Sequence, residues 1–279
     1  MNAMGRLAGV VGWPVGHSLS PRLHGHWLRA CGIEGAFVAL PVRREDFSEA
    51  LRGLRLAGFA GVSVTVPHKE AAFALAARAD AAAMAAGAAN LLLFGEDGTV
   101  EARNTDAAGL AASLAGIALA GAPAVVLGAG GAARAAVLAL DSMGAAEIRI
   151  LNRHRGRAEA LVAALAPAVA ARLISAQAWP DAARDAAIAV NATSAGMRST
   201  PSIDLALELL PRSAAVCDIV YNPLETGLLR AARAAGLKTV DGLGMLMHQA
   251  RPQFRAFYGV EPEVTPALRR ELEKALGHG

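Results

Sequence analysis

The sequence predicts an α/β protein of two domains, each centred on a largely parallel sheet. Three observations predict it. Short apolar strands alternate with amphipathic helical segments through most of the chain, the pattern that lays helices on the faces of a parallel sheet. Residues 122–155 read strand, glycine turn, helix, strand without interruption. The length, 279 residues, is ample for two cores.

LAGVVG (7–12) is the first expected strand. SPRLHGHWLRACG (20–32) follows as a helix, with Ser20 as N-cap, proline next and glycine at its end. AFVALPV (36–42) is a second strand, and an amphipathic helix is expected from 45 to about 56. In GVSVTV (61–66) Val62, Val64 and Val66 alternate with Ser63 and Thr65, which is strand periodicity with one polar face. Pro67 suits a first helical turn, so a helix is expected from that residue, with Lys69 in the turn where the helix dipole disfavours a cation. ANLLLF (89–94), a GEDG turn and TVEAR (99–103) read as a β-hairpin.

A second unit begins after Asn104-Thr105-Asp106. Beyond its strand–turn–helix–strand core, strands are expected at AAIAVN (186–191), AAVCDIV (214–220) and LKTVD (237–241). Segments 243–259 and 265–276 are helical and bring no strand, so periodicity leaves open which unit they cover.

Composition narrows the function. With 54% hydrophobic and 18% charged residues the chain has ample core. A net charge of +3, spread along the chain, is too little for a nucleic-acid protein and suits small anionic ligands. Cys31 and Cys217 lie far apart in apolar contexts, which fits a reducing cytoplasm rather than a disulfide framework. The apolar run near the N-terminus is too short for a signal peptide. Residues 107–133 carry no charge, but glycines and Pro123 break the run, so no membrane span is expected. Seven histidines are scattered. His24 and His26 face apart on a helix, and His68 is expected to be solvated, so no metal site is expected.

VVLGAGGAAR has the G-x-G-x-x-G/A form, with Gly128, Gly130 and Ala133 in its three slots, between a strand and a helix. That context marks a dinucleotide turn, in which glycines let a pyrophosphate approach a helix N-terminus. NAD sites place an acid about 20 residues on. Here the second strand ends in LNRHRGR, and Asn152, Arg153, Arg155 and Arg157 offer donors and positive charge suited to a 2′-phosphate, hence NADP. In GHSLSP (16–21) Ser18 and Ser20 form either a carboxylate cradle or an ordinary cap. Asp106 either caps the next helix or reaches Lys69, and a lysine beside a carboxylate can exchange a proton with a carbinol.

The blocks GWPVGHSLSP followed by His24, SVTVPHKEAA, GAAN, NTDAAG, GAGGAARA, NRHRGRA, NATSAGM, DIVYNPLETGLL and DGLGMLMHQA run in order from 12 to 250. With them the chain resembles the shikimate dehydrogenase family. The resemblance implies NADPH-dependent reduction of 3-dehydroshikimate to shikimate, in the route to chorismate and the aromatic amino acids. It implies a substrate domain of residues 1–106 and 243–279, a Rossmann-type NADP-binding domain of 107–242, and a cleft between them. Carried over by matching position, Lys69 and Asp106 are the catalytic pair and Ser18 and Ser20 hold the substrate carboxylate. Ser63, Thr65, Asn90, Tyr221 and Gln249 surround the ring hydroxyls. Gly128, Ala129, Gly130, Gly131, Ala132 and Ala133 hold the pyrophosphate, and Asn152, Arg153, His154 and Arg157 the adenosine phosphate. Asn191, Thr193, Ser194 and Ile219 line the cofactor strands, with Gly242 and Met245 near the nicotinamide. The oligomeric state is left open, a homodimer included.

The chain departs from the family pattern at Ser63, where asparagine is usual, at Gly25, again for asparagine, and at His154, for threonine. A hydroxyl at 63 cannot span an amide's two contacts, which keeps a quinate or aminoshikimate dehydrogenase as the alternative. A non-catalytic nucleotide sensor would have no need of both Lys69 and Asp106.

Overall fold

The computed structural model describes residues 6–176, 178–198 and 200–277. The first five residues, part of the leader argument, lie outside the described residues. The chain divides into two compact units, one holding the residues up to Thr105 and those from Gln249 on, the other Asp106–His248.

The first unit contains β1 (Arg6–Gly12), α1 (Ser20–Ala30), β2 (Gly35–Pro41), α2 (Phe47–Leu56), β3 (Phe59–Val64), α3 (Lys69–Leu75), β4 (Arg78–Ala79), α4 (Ala81–Ala86), β5 (Leu91–Phe94) and β6 (Val100–Arg103). Its sheet order is β2-β1-β3-β5-β6-β4. β1 runs parallel to β2 and β3, while β5 is antiparallel to β3 and β6. Val11, Val62, Val64, Leu92 and Ala102 pack with Phe47 and Leu51 on one face.

The other face of this sheet carries an aromatic layer. His24 of α1 is fully buried, stacked on Phe37 at 3.9 Å and 3° and flanked by Trp27, Phe254 and Phe257. Neither of its ring nitrogens has a hydrogen-bond partner, and burial pushes the imidazole down from 6.5 to about 3. The layer's C-terminal residues come from α10 (Gly242–Tyr258), and α11 (Pro266–Ala275) covers α1, its Glu271 meeting His26 at 2.6 Å and Arg29 at 3.1 Å.

Several local expectations are corrected here. Leu19, not Ser20, occupies the N-cap position of α1, and the Ser18 hydroxyl accepts from the Ser20 N–H at 3.2 Å. β3 ends at Val64 rather than Val66. Val66 is 68% exposed, so its place in the alternation did not report a core contact. Pro67 precedes the helix instead of opening it: His68 takes the N-cap position and Lys69 is the first helical residue. His68 is buried rather than solvated, stacked on Phe47 at 4.4 Å and donating to the Val42 carbonyl at 2.8 Å. The polar face of β3 is also covered, because Ser63 is buried.

The second unit comprises α5 (Asp106–Ser113), β7 (Pro123–Leu127), α6 (Gly131–Ser142), β8 (Glu147–Leu151), α7 (Arg155–Leu165), β9 (Arg172–Ser175), α8 (Trp179–Ala183), β10 (Ile188–Asn191), β11 (Ala215–Asp218), α9 (Gly227–Ala234) and β12 (Lys238–Val240). Its sheet is wholly parallel, in the order β12-β11-β10-β7-β8-β9. The order reverses between β7 and β10, and ligands of such sheets bind at the carboxyl ends of the strands beside that reversal. Ala133, Ala136 and Ala139 are fully buried and let α6 approach the sheet closely. β9 was not foreseen: it is a four-residue edge strand opening on an exposed arginine, with no apolar alternation to announce it. The uncharged run 107–133 resolves into α5, turns, β7 and the start of α6. Among the described residues no helix is long and apolar enough to cross a membrane.

Candidate active site

In the second unit the glycine turn sits at the end of β7. Gly128 has φ +113°, and a Cβ there would press on the Thr193 methyl at 3.0 Å and the Ala192 carbonyl at 3.2 Å. Gly130 holds the N-cap position of α6, and a Cβ there would meet nothing within 4 Å. Ala129, Gly131 and Ala132 complete the turn and first helical residues, leaving an open approach to the N–H groups of the first helical turn, while Ala133 is buried beneath.

A cavity of about 670 Å³ opens beside this turn. Gly128, Asn152, Arg153, His154 and Arg157 line it together with Thr193, Ser194 and the segment around Pro201 and Ile203. No carboxylate is among its described lining residues. Asn152 is oriented by donating to the His154 carbonyl at 2.9 Å. Arg155 is occupied differently, paired with Glu159 at 2.7 Å. The donor set, cationic and without an acid, fits a nucleotide carrying a 2′-phosphate.

The loop bearing Thr193 is built by a buried carboxylate that sequence reasoning missed. Asn191 accepts from the Thr193 N–H (3.0 Å) and hydroxyl (2.7 Å), and donates to Asp218 (2.9 Å) and the Ala195 carbonyl (3.2 Å). Asp218 also accepts from the Val220 N–H and the Thr226 hydroxyl. Burial pushes its carboxyl up, opposed by those three hydrogen bonds. An acid inside the apolar strand AAVCDIV was the available signal. Asn191 is thus a buried support, and Met245 belongs to the core cluster that also holds Leu110 and Ala133, so neither is among the residues lining the cavity. Ile219 donates its N–H to the Asn191 carbonyl, and Gly242 lies so close to the Ile219 carbonyl that a Cβ would run into it. Tyr221 is half-buried, and Asp106 is a buried residue opening α5.

In the first unit, Ser18 and Ser20 stand at the head of α1. Thr65 and Lys69, both half-buried, flank the turn between β3 and α3. The Lys69 carbonyl accepts from the Ala89 N–H at 2.8 Å, which ties the head of α3 to the chain just before Asn90. Asn90, Ser63 and Gln249 are brought together through two residues the sequence reading omitted, Thr105 and Gln253. Asn90 accepts from the Thr105 N–H (2.8 Å) and donates to the Thr105 hydroxyl (2.9 Å) and to Gln249 Oε1 (3.2 Å). Gln253 Nε2 donates to Gln249 Oε1 (2.7 Å) and Thr105 Oγ1 (3.0 Å), and Ser63 Oγ donates to Gln253 Oε1 (2.5 Å). Such a network suits recognition of a polyhydroxylated ring. Among the described residues no group of three or more His, Cys, Asp or Glu could hold a metal ion.

Residues 10–92 match the family described as shikimate dehydrogenase substrate binding domain, and residues 109–204 that described as shikimate / quinate 5-dehydrogenase. The shikimate dehydrogenase (NADP(+)) of Rhodospirillum rubrum is 51% identical over 271 residues, 95% of each chain. The shikimate 5-dehydrogenase of Thermus thermophilus, solved with NADP(H) and shikimate, superposes with a TM-score of 0.85 at 38% identity, covering 97% of this chain and 99% of that one. The quinate dehydrogenase of Corynebacterium glutamicum, solved with NAD, gives 0.86 at 30% identity, covering 98% and 99%.

Proposed function

The chain belongs to the shikimate dehydrogenase family, and from that premise we propose how its residues carry the reaction. It is an NADP-dependent oxidoreductase that interconverts 3-dehydroshikimate and shikimate. The observation that carries the cofactor assignment is the open turn at Gly130 beside a cavity lined by Arg153, His154 and Arg157, with no carboxylate among its described lining residues.

NADPH, when bound, supplies the hydride that turns a ketone into a carbinol. Lys69 Nζ gives the proton that the carbonyl oxygen takes up, and receives it back when shikimate is oxidised. Asp106 is its carboxylate partner. Ser18 and Ser20, with the N-terminus of α1, hold the substrate carboxylate, an arrangement supported by the Ser18 hydroxyl already accepting at the head of that helix. Ser63, Thr65, Asn90, Tyr221 and Gln249 orient the ring hydroxyls. The first unit is the substrate domain and the second the NADP domain. Ser63 in place of the usual asparagine is the feature that keeps a quinate or aminoshikimate dehydrogenase as the alternative reading. A cytoplasmic homodimer completes the proposal; the two cysteines, far apart in sequence, fit that compartment, and sedimentation tests the dimer.

The test is incubation of 3-dehydroshikimate with NADPH and the purified protein. Equimolar cofactor oxidation with shikimate as product is expected; absence of either would end the assignment.

A further inference from the structure

The buried amide network has a direction, and one backbone group sets it. The Thr105 N–H can only donate, so Asn90 must face it with Oδ1. That turns Asn90 Nδ2 towards Thr105 Oγ1 and Gln249, which must present its own oxygen. Gln253 must then face Gln249 and Thr105 with its nitrogen, leaving Gln253 Oε1 towards Ser63. Thr105 Oγ1 spends its one proton on the Gln249 carbonyl at 2.9 Å. Ser63 spends its one proton on Gln253.

Two polarities follow. The Ser63 hydroxyl, its proton committed inward, can only accept from a ligand. The Gln249 amide has its oxygen held by two donors, so its nitrogen lies on the opposite side as a donor. Gln253 fixes the first and, together with Asn90, holds the second: it is 1% exposed, and it bridges β3 to Gln249 one helical turn before it on α10.

We propose that Gln253 is a positioning residue for substrate recognition. Buried behind Ser63 and Gln249, it supplies the amide that position 63 lacks, commits the Ser63 hydroxyl to accepting and, with Asn90, holds the Gln249 amide as a donor. This rests on the reading above that Ser63 and Gln249 meet the substrate ring. Where position 63 carries asparagine, the strand itself provides an amide; here α10 provides it from 190 residues away.

The test is steady-state kinetics of the full chain, wild type against Gln253→Met and the double variant Ser63→Asn with Gln253→Ala, with shikimate, quinate and NADP⁺ varied in turn. Gln253→Met is expected to raise the shikimate KM by about tenfold, the loss of one oriented buried bond, with the NADP⁺ KM within about twofold of wild type and melting by circular dichroism still cooperative. The double variant, with the amide moved onto the strand, is expected to recover most of that loss. A shikimate KM unchanged in Gln253→Met would overturn the proposal, as would both KM values rising together with no recovery in the double variant. Wild type active on quinate but not on shikimate would overturn the substrate assignment alone, and the series is then read on quinate. Wild type inactive on both would overturn the two together.

Discussion

Replacing His24 by phenylalanine should make the protein more resistant to acid. His24 is buried in an aromatic layer with no partner for either nitrogen, and its pKa falls from 6.5 in the open chain to about 3 in the fold. A folded-state value below the unfolded one means that the unfolded chain binds the extra proton between those two values. Stability from this group is therefore complete above pH 6.5 and is lost as pH falls towards 3. At pH 5 the unfolded imidazole is almost wholly protonated and the folded one is neutral, a difference of about 1.5 pH units or about 2 kcal/mol. For a protein of this size that is roughly 4–8 °C in melting temperature. The assay is thermal unfolding by circular dichroism at pH 8 and pH 5 for both proteins. A phenylalanine is larger than the imidazole and shifts the melting point at both pH values, so the readout is the drop between them. The variant's drop should be smaller than wild type's by about that 4–8 °C. Equal drops would show that the buried imidazole is not the group being titrated, and the reasoning would fail.

Lys69→Met should lower kcat by about a thousandfold, as expected when a proton-transfer group is removed, while the shikimate KM stays within a few-fold; equal loss in both would make Lys69 a positioning group. Removing Arg153 and Arg157 together should raise the NADP⁺ KM by about tenfold or more and leave that for NAD⁺ nearly unchanged, because only the former carries a 2′-phosphate. Gly242→Ala should cost about 1–3 kcal/mol in denaturant unfolding, since its Cβ would collide with the Ile219 carbonyl; a neutral result would mean the close approach at the head of α10 relaxes freely.

What could be read from the sequence was what local chemistry determines. The turn at 128–133 declared itself because a positive φ at Gly128 and open space at Gly130 both suit glycine, and the flanking strand and helix have regular periods. The basic run 152–157 at the end of β8, with no acid before Glu159, was likewise legible, being a statement about which residues are present. The buried parts were not. Gln253 and Thr105 sit in helical or turn contexts where a polar residue looks solvated, and their partners are distant in sequence. Asp218 is one charge in an apolar strand, and its partners Asn191 and Thr226 lie 27 and 8 residues away in sequence. Local rules failed at the β3–α3 junction, where alternation was extended through an exposed Val66 and Pro67 was given a helical position. In both cases the chain was leaving the sheet to place Lys69, so the errors fall beside the residue on which the proposed chemistry depends.

The most direct measurement is kcat/KM for the four pairings of shikimate or quinate with NADP⁺ or NAD⁺, followed by nicotinamide absorbance. Shikimate with NADP⁺ is expected to exceed each other pairing by at least about tenfold, through the phosphate contacts at Arg153 and Arg157 and the amide supplied to Ser63 by Gln253. A chain that turned over quinate or NAD⁺ as well as shikimate and NADP⁺, or none of the four, would contradict the account.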